Sequence, residues 1–218
     1  MLDQNVDQNT TLFCIQSHFS RFENSHRTLI HHVPFAHMFK KFGKDEIHSR
    51  SNIKSSVQRG LKSNFVSQFE KLEPVIDAII PKKSQAILIK CEGKLSLYSV
   101  DGEVVLFQHF DDLIPDLHIV HKYPDCFPKI QVDRGAIKFV LSGANVMCPG
   151  LTSAGAKLPD ENLEKDTIVT IYAEGKEHAL AVGKLTMSTD DIKSINKGVG
   201  IELFHYLGDG LWHLDESN

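Results

Sequence analysis

No two cysteines of this chain stand close together. Cys14, Cys91, Cys126 and Cys148 are scattered, which argues against a zinc ribbon and supplies no disulfide framework. A reducing compartment suits that usage. Long apolar runs are missing as well. The longest, such as residues 104–107 and 179–182, are strand-sized, far below the ~20 residues that cross a bilayer. No membrane partner is expected.

Catalytic hardware is equally sparse. Ser153 lies between Thr152 and Ala154, without the flanking glycines of a nucleophile elbow. Asp111-Asp112 and Asp190-Asp191 are neighbours in sequence, so their side chains point apart and do not converge on one atom. Gly198-Val199-Gly200 follows a helical pattern and precedes a strand, the reverse of a dinucleotide fingerprint. His178, His205 and His213 fall in separate elements with no metal-ligand spacing. The expectation is a protein without a catalytic residue, metal or cofactor, and not an enzyme. The lone Trp212 either plugs a core edge or stacks a base.

What is present reads as an ordinary globular chain. With 41% hydrophobic and 24% charged residues, its 218 residues hold one large domain or two small ones. The net charge of −4 opposes nucleic-acid binding, but it is unevenly spread. Residues 38–62 carry Lys40, Lys41, Lys44, Arg50, Lys54, Arg59 and Lys62 against only Asp45 and Glu46. A basic end on an acidic body suits docking on phosphate in one orientation. The same window also fits a solvated helix face.

Residues 1–37 read as a disordered extension, with five of the twelve histidines and no sustained periodicity. Asp3, Asp7 and only two arginines speak against a mitochondrial transit peptide. From Ile53 the pattern is helical: Ile53, Val57, Leu61, Phe65 and Phe69 line one face, leaving Arg59 and Lys62 wet. A second short helix follows Pro74, with Val75, Ile76, Ile79 and Ile80 inward. Strands are predicted at 86–91, 95–100 and 103–109, the last two joined by the hairpin dipeptide Asp101-Gly102. Residues 113–123 fit either strand or turn.

After Pro128 a second unit begins. A short helix (Ala136, Ile137, Val140, Leu141) ends at Gly143, and 146–148 is a brief strand. Strands at 167–173 and 178–184 flank a turn, Ser188 opens a helix through Ile195, and 201–207 is the last strand. Short strands with few helices suggest a compact barrel.

Residues 132–156, VDRGAIKFVLSGANVMCPGLTSAGA, carry the most information. Gly143, Ala144, Gly150, Ala154 and Gly155 are expected to leave main-chain groups uncovered for a sugar-phosphate chain or base edge. The string resembles the signature of the PUA domain, an RNA-binding module. MFKKF at 38–42, Ile80-Pro81-Lys82-Lys83, His121-Lys122-Tyr123-Pro124, Ala173-Glu174-Gly175-Lys176, the run 196–201 and HYLGDGLWH at 205–213 extend the likeness. Together they resemble the malignant T-cell-amplified sequence family of eukaryotic translation factors, from Met38 to about Asp215. The residues before Met38 depart from that pattern, which an alternative start or an added exon would explain.

The resemblance implies an α+β protein: a small pre-PUA domain over residues 38–126, then a PUA β-pseudobarrel over 127–215. It implies a cytoplasmic, non-enzymatic factor that pairs with density-regulated protein on the small ribosomal subunit and handles tRNA there. Reinitiation and post-termination recycling, with tRNA release, are the implied tasks. By similarity, RNA contact falls on Lys138, Gly143, Ala144, Asn145, Pro149, Gly150, Thr152 and Gly155. Lys40, Lys41, Lys44, Lys54, Arg59 and Lys62 are candidates for the backbone of ribosomal RNA or tRNA. The alternatives are an RNA-modification enzyme and a ribosome-assembly module that holds RNA.

Overall fold

A computed structural model describes residues 38–214; the expected disordered extension lies outside them. The first half forms β1 (Ile47–Asn52), α1 (Ser55–Gln68), α2 (Ile76–Ile79), β2 (Ala86–Cys91), β3 (Leu95–Val100), β4 (Glu103–His109), β5 (Asp112–Pro115) and α3 (Leu117–Lys122). Its strands make one antiparallel sheet in the order β1-β2-β3-β4-β5. Asp101 and Gly102 turn β3 into β4 with φ of 53° and 88°, the positive values a tight hairpin requires.

The second half supplies β6 (Lys129–Val132), α4 (Ile137–Val140), β7 (Val146–Met147), α5 (Pro149–Thr152), β8 (Ile168–Ala173), β9 (Ala181–Leu185), α6 (Thr189–Ile195) and β10 (Val199–Tyr206). The sheet order is β6-β8-β9-β10-β7, with β6 parallel to β8 and the other pairs antiparallel. Ser188 caps α6, its hydroxyl accepting from the Asp191 amide, and Asn196 closes the helix in a left-handed conformation.

Several expectations change. Val57 is 52% exposed, while Gln58 is buried beside Leu61 and Phe65. A spacing of four residues gains about 40° per step on a helix, so the apolar stripe drifts and the inward face runs through 58, 61 and 65. Gln58 is tolerated because its amide is satisfied: Nε2 donates to the carbonyls of Pro81 and Ser84, both at 3.0 Å. Lys62 is not wet. Its Nζ pairs with Asp77 and donates to the Ile80 carbonyl at 2.8 Å. Residues 113–123 resolve into the end of β5 and all of α3, whose start is capped by Asp116 accepting from the His118 amide. Strands β1 and β6 and the turn of helix α5 are additions to the predicted elements.

Two apolar clusters form the core. One gathers Ile130, Val132, Val140, Leu151, Val169, Ile171, Leu185, Ile201 and Leu203 inside the second sheet. The other fills the first half, yet Ile168, Ala179, Val182, Phe204 and Leu211 of the second half belong to it. Strand β10 serves both, with a register shift between Leu203 and His205. A bulge adds a residue, so Leu203 and Tyr206 face one cluster while Phe204 enters the other. Among the described residues, no helix is long and apolar enough to cross a membrane.

The inward face of α1 is testable. Gln58→Leu leaves two carbonyls without their donor and should cost about 2 kcal/mol in urea unfolding. Val57→Gln should change stability by less than about 0.5 kcal/mol; equal losses would restore the predicted stripe.

Candidate nucleic-acid interface

The loop at 132–156 is built from Asp133. Its Oδ1 accepts from the Ala136 amide at 2.9 Å, opening the helical turn that runs into α4. Its Oδ2 accepts from Ser153 Oγ, tying the start of the segment to its far end. The Ser153 hydroxyl, ahead of the amides of Ala136 and Gly135, holds the Asp133 carboxyl below its ordinary pKa. Thr152 Oγ1 donates to Asn196 Oδ1 at 2.7 Å, and the Cys148 amide donates to the Gly198 carbonyl at 3.0 Å. The end of α6 is thereby tied to the loop. Gly200 permits this closeness, because a Cβ there would lie 2.7 Å from Leu151 Cδ1.

Four small residues in this loop have a main-chain group paired within the protein. The amides of Gly143 and Ala144 donate back to the carbonyls of Val140 and Phe139 at 2.9 and 3.0 Å. The Gly150 carbonyl accepts from the Asp133 amide, and the Gly155 carbonyl from Gln131 Nε2 at 2.7 Å. Gly143 is buried at φ +83° and serves as the helix cap. A Cβ on Gly150 would face Ala136 and Val146, not solvent. Asn145 is likewise occupied, its Oδ1 accepting from the Leu203 amide at 2.9 Å. The glycines shape the loop.

Side chains do the presenting. Lys138, Pro149 and Thr152 are exposed, Ala144 and Gly155 half-buried. Beside them Phe139, Leu141, Met147 and Ile195 are 55%, 40%, 50% and 57% exposed. Lys138 Nζ sits 4.9 Å from the centre of the Phe139 ring, a cation–π contact. Met147 pairs with Val199 across β7 and β10, so it lies by the Asn196–Lys197–Gly198 turn. An exposed aromatic ring with a lysine over it can stack a base and meet its phosphate. Phe139 and its apolar neighbours were not singled out in the sequence. The signal was there: Ala136, Ile137, Phe139, Val140 and Leu141 are too many apolar residues for one face of so short a helix.

The basic candidates separate into groups. Lys40 and Lys44 line a groove of about 420 Å³ with Gly208, Asp209 and Gly210. Lys41, Lys54 and Arg59 are exposed. Lys62 is spent on Asp77 and the Ile80 carbonyl, which removes it from the phosphate-binding set. Among the described residues no cluster of His, Cys, Asp and Glu is arranged to hold a metal ion.

Comparison with known proteins decides the family. A pre-PUA-like domain matches residues 40–124 and a PUA domain matches 128–207. Translation machinery-associated protein 20 of Saccharomyces cerevisiae is 65% identical over 177 residues, covering 81% of this chain and 98% of the relative. The chain belongs to the translation machinery-associated protein 20 and malignant T-cell-amplified sequence family. Human malignant T-cell-amplified sequence 2 is 52% identical over 181 residues, with 81% of this chain and 98% of the human protein covered. A hypothetical protein of Pyrococcus horikoshii shares the fold at a TM-score of 0.63 and 19% identity, over 76% of this chain and 98% of the other. A PUA domain protein of Thermoplasma acidophilum does so at 0.57 and 20%, over 76% and 98%. The α+β reading, pre-PUA followed by PUA, is therefore the fold of this family member.

The glycines separate the two views of the loop. Gly143→Ala forces a side chain into positive φ and should cost about 1 kcal/mol or more in thermal unfolding. Gly150→Ala should stay within about 0.5 kcal/mol and leave RNA affinity unchanged. A folded Gly150→Ala variant with tenfold weaker RNA binding would restore bare main chain as the contact.

Proposed function

We propose that this chain is a non-enzymatic translation factor that binds tRNA on the small ribosomal subunit. In this reading it works with density-regulated protein in the cytoplasm, promoting reinitiation and post-termination recycling with tRNA release. The names of the relatives and the PUA domain support a role at the translation machinery. The observation that carries the RNA assignment is the exposed Lys138–Phe139 pair, on a segment that also exposes Leu141 and Met147. Lys138, Pro149, Thr152 and the half-buried Ala144 and Gly155 form its contact surface, while Gly143, Asn145 and Gly150 hold that surface in shape.

Stacking tolerates sequence variation because every base has a π face, so a factor using it grips a tRNA terminus without selecting one tRNA. Lys40, Lys41, Lys44, Lys54 and Arg59 add phosphate contacts whose strength falls with salt. The acidic remainder of the chain restrains indiscriminate RNA binding.

Phe139→Ala should weaken tRNA binding about tenfold, the worth of roughly one stacked base, without lowering the melting temperature. Charge reversal at Lys40, Lys41 and Lys44 should reduce the slope of log affinity against log salt for small subunits by about two. Pull-down of small subunits with and without density-regulated protein tests the partnership. Modified nucleosides after incubation with tRNA would favour the enzyme alternative; sedimentation with precursor subunits would favour assembly.

A further inference from the structure

His205 has no exposed surface, yet two carboxylates face it from two domains. Nδ1 lies 2.8 Å from Asp209 Oδ2, and Nε2 lies 3.4 Å from Asp116 Oδ2. Asp116 is the cap of α3 in the pre-PUA domain; His205 and Asp209 belong to the end of the PUA domain. The remaining bonds close a circuit. Asp116 Oδ1 meets His118 Nδ1 at 2.8 Å, and the His118 ring stacks on Trp212 at 4.0 Å with 5° between planes. Asp209 Oδ1 then accepts from the Trp212 amide at 2.9 Å, and its Oδ2 from the Tyr206 amide at 2.9 Å.

We propose that His205, as an imidazolium at neutral pH, is a brace between the two domains, a positioning residue that fixes the angle between the lysine-bearing turn at 38–44 and the RNA-facing loop at 132–156. Two carboxylates taken out of water need a cation between them, and a neutral imidazole has only one N–H to offer. The brace sits directly under the basic turn. The rings of Phe39 and His205 meet in a T-shaped arrangement with centroids 5.9 Å apart, and those of Phe107 and His205 do so at 6.1 Å. The Gly210 amide donates to the Phe39 carbonyl at 2.7 Å, where a Cβ would collide with the carbonyls of Phe39 and Phe42. The segment from His205 to Trp212 therefore holds the turn against the PUA domain. The consequence for RNA rests on the function proposed above; the brace itself does not.

Protonation follows the same geometry. Burial alone would lower the His205 pKa, but Asp116 and Asp209 outweigh it and push it up to about 9. Burial raises Asp116, and its bond to His118 with the His205 charge beside it outweighs that, bringing it to about 2. The titratable groups facing His205 are Asp116 and Asp209, with His118 behind Asp116. A raised imidazole stabilises the fold fully below its unfolded value near 6.5 and loses that contribution as pH climbs through about 9. The lowered Asp116 loses its contribution only as pH falls through about 2.

Nitrogen-15 NMR of the full chain tests this directly. The His205 ring should show two protonated nitrogens at pH 7 and no titration between pH 5.5 and 8; a neutral tautomer at pH 7 overturns the proposal. Residual dipolar couplings of wild type at pH 7 should fit one alignment tensor for both domains. Those of His205→Gln should need two. One tensor in a folded His205→Gln chain also overturns it. If that variant does not fold, the wild-type nitrogen signals still decide. A tenfold loss of tRNA affinity in folded His205→Gln with two tensors extends the brace to RNA placement. Two tensors with unchanged affinity uphold the brace and overturn only the reading in which both faces grip one RNA.

Discussion

Phe204, Val182 and Ile168 belong to the second sheet and Ala179 to the loop before β9, but they bury their side chains in the core of the first domain. This sharing constrains everything else. A strand in the middle of a sheet normally gives alternate residues to opposite faces, with one face sufficient for a core. Here β9 and β10 have apolar residues on both faces, because each face is a core. Separating the domains would expose Phe204 and Val182 to water, at about 1.5–3 kcal/mol for each large side chain. The pre-PUA and PUA domains are consequently joined by packing, reinforced at the rim where Lys184 of β9 meets Asp112 of β5 at 2.7 Å.

That packing also settles what the RNA-facing loop can be. Its main chain has work to do inside the protein, closing α4, anchoring β6 and holding α5 against α6. A loop whose polar backbone is paired is stiff, and stiffness suits a surface that must present Lys138 and Phe139 at a set spacing. Glycine at 143, 155 and 200 answers geometric demands: positive φ at the first two, and the approach of Leu151 at the third. Small residues and exposed apolar residues thus divide the task. The former let the chain turn tightly, and the latter are the contact surface proposed for RNA.

Legibility in the sequence followed how local the determining physics was. The strands β2, β3 and β4 coincide with the predicted runs, and Asp101-Gly102 joins β3 to β4 through a turn that needs no tertiary help. The Ser188 cap and the Gly143 helix end were readable for the same reason. Strand β1 was not: apart from Ile47 its residues are exposed at a sheet edge, so no apolar alternation marks it. Strand β6 has four residues and pairs in parallel with β8, a partner remote in sequence. At the site, the lysines and the loop were legible by type and by resemblance. Which of them face outward was not, since the fate of Lys62 depends on Asp77 and that of Asn145 on the Leu203 amide.

The shared core explains why a charged circuit lies where the domains meet. Apolar packing is non-directional, and two greasy surfaces can slide by a fraction of a side chain at little cost. Hydrogen bonds and ion pairs are directional, and a buried carboxylate displaced from its partner loses far more than a displaced methyl group. The bulge at Leu203–His205 turns Phe204 into the shared core and carries His205 between Asp116 and Asp209. One local irregularity in β10 therefore supplies both the adhesion between the domains and the contact that sets their angle. A regular strand would place these two side chains on opposite faces, giving the chain the apolar seam or the charged one, but not both at the same joint.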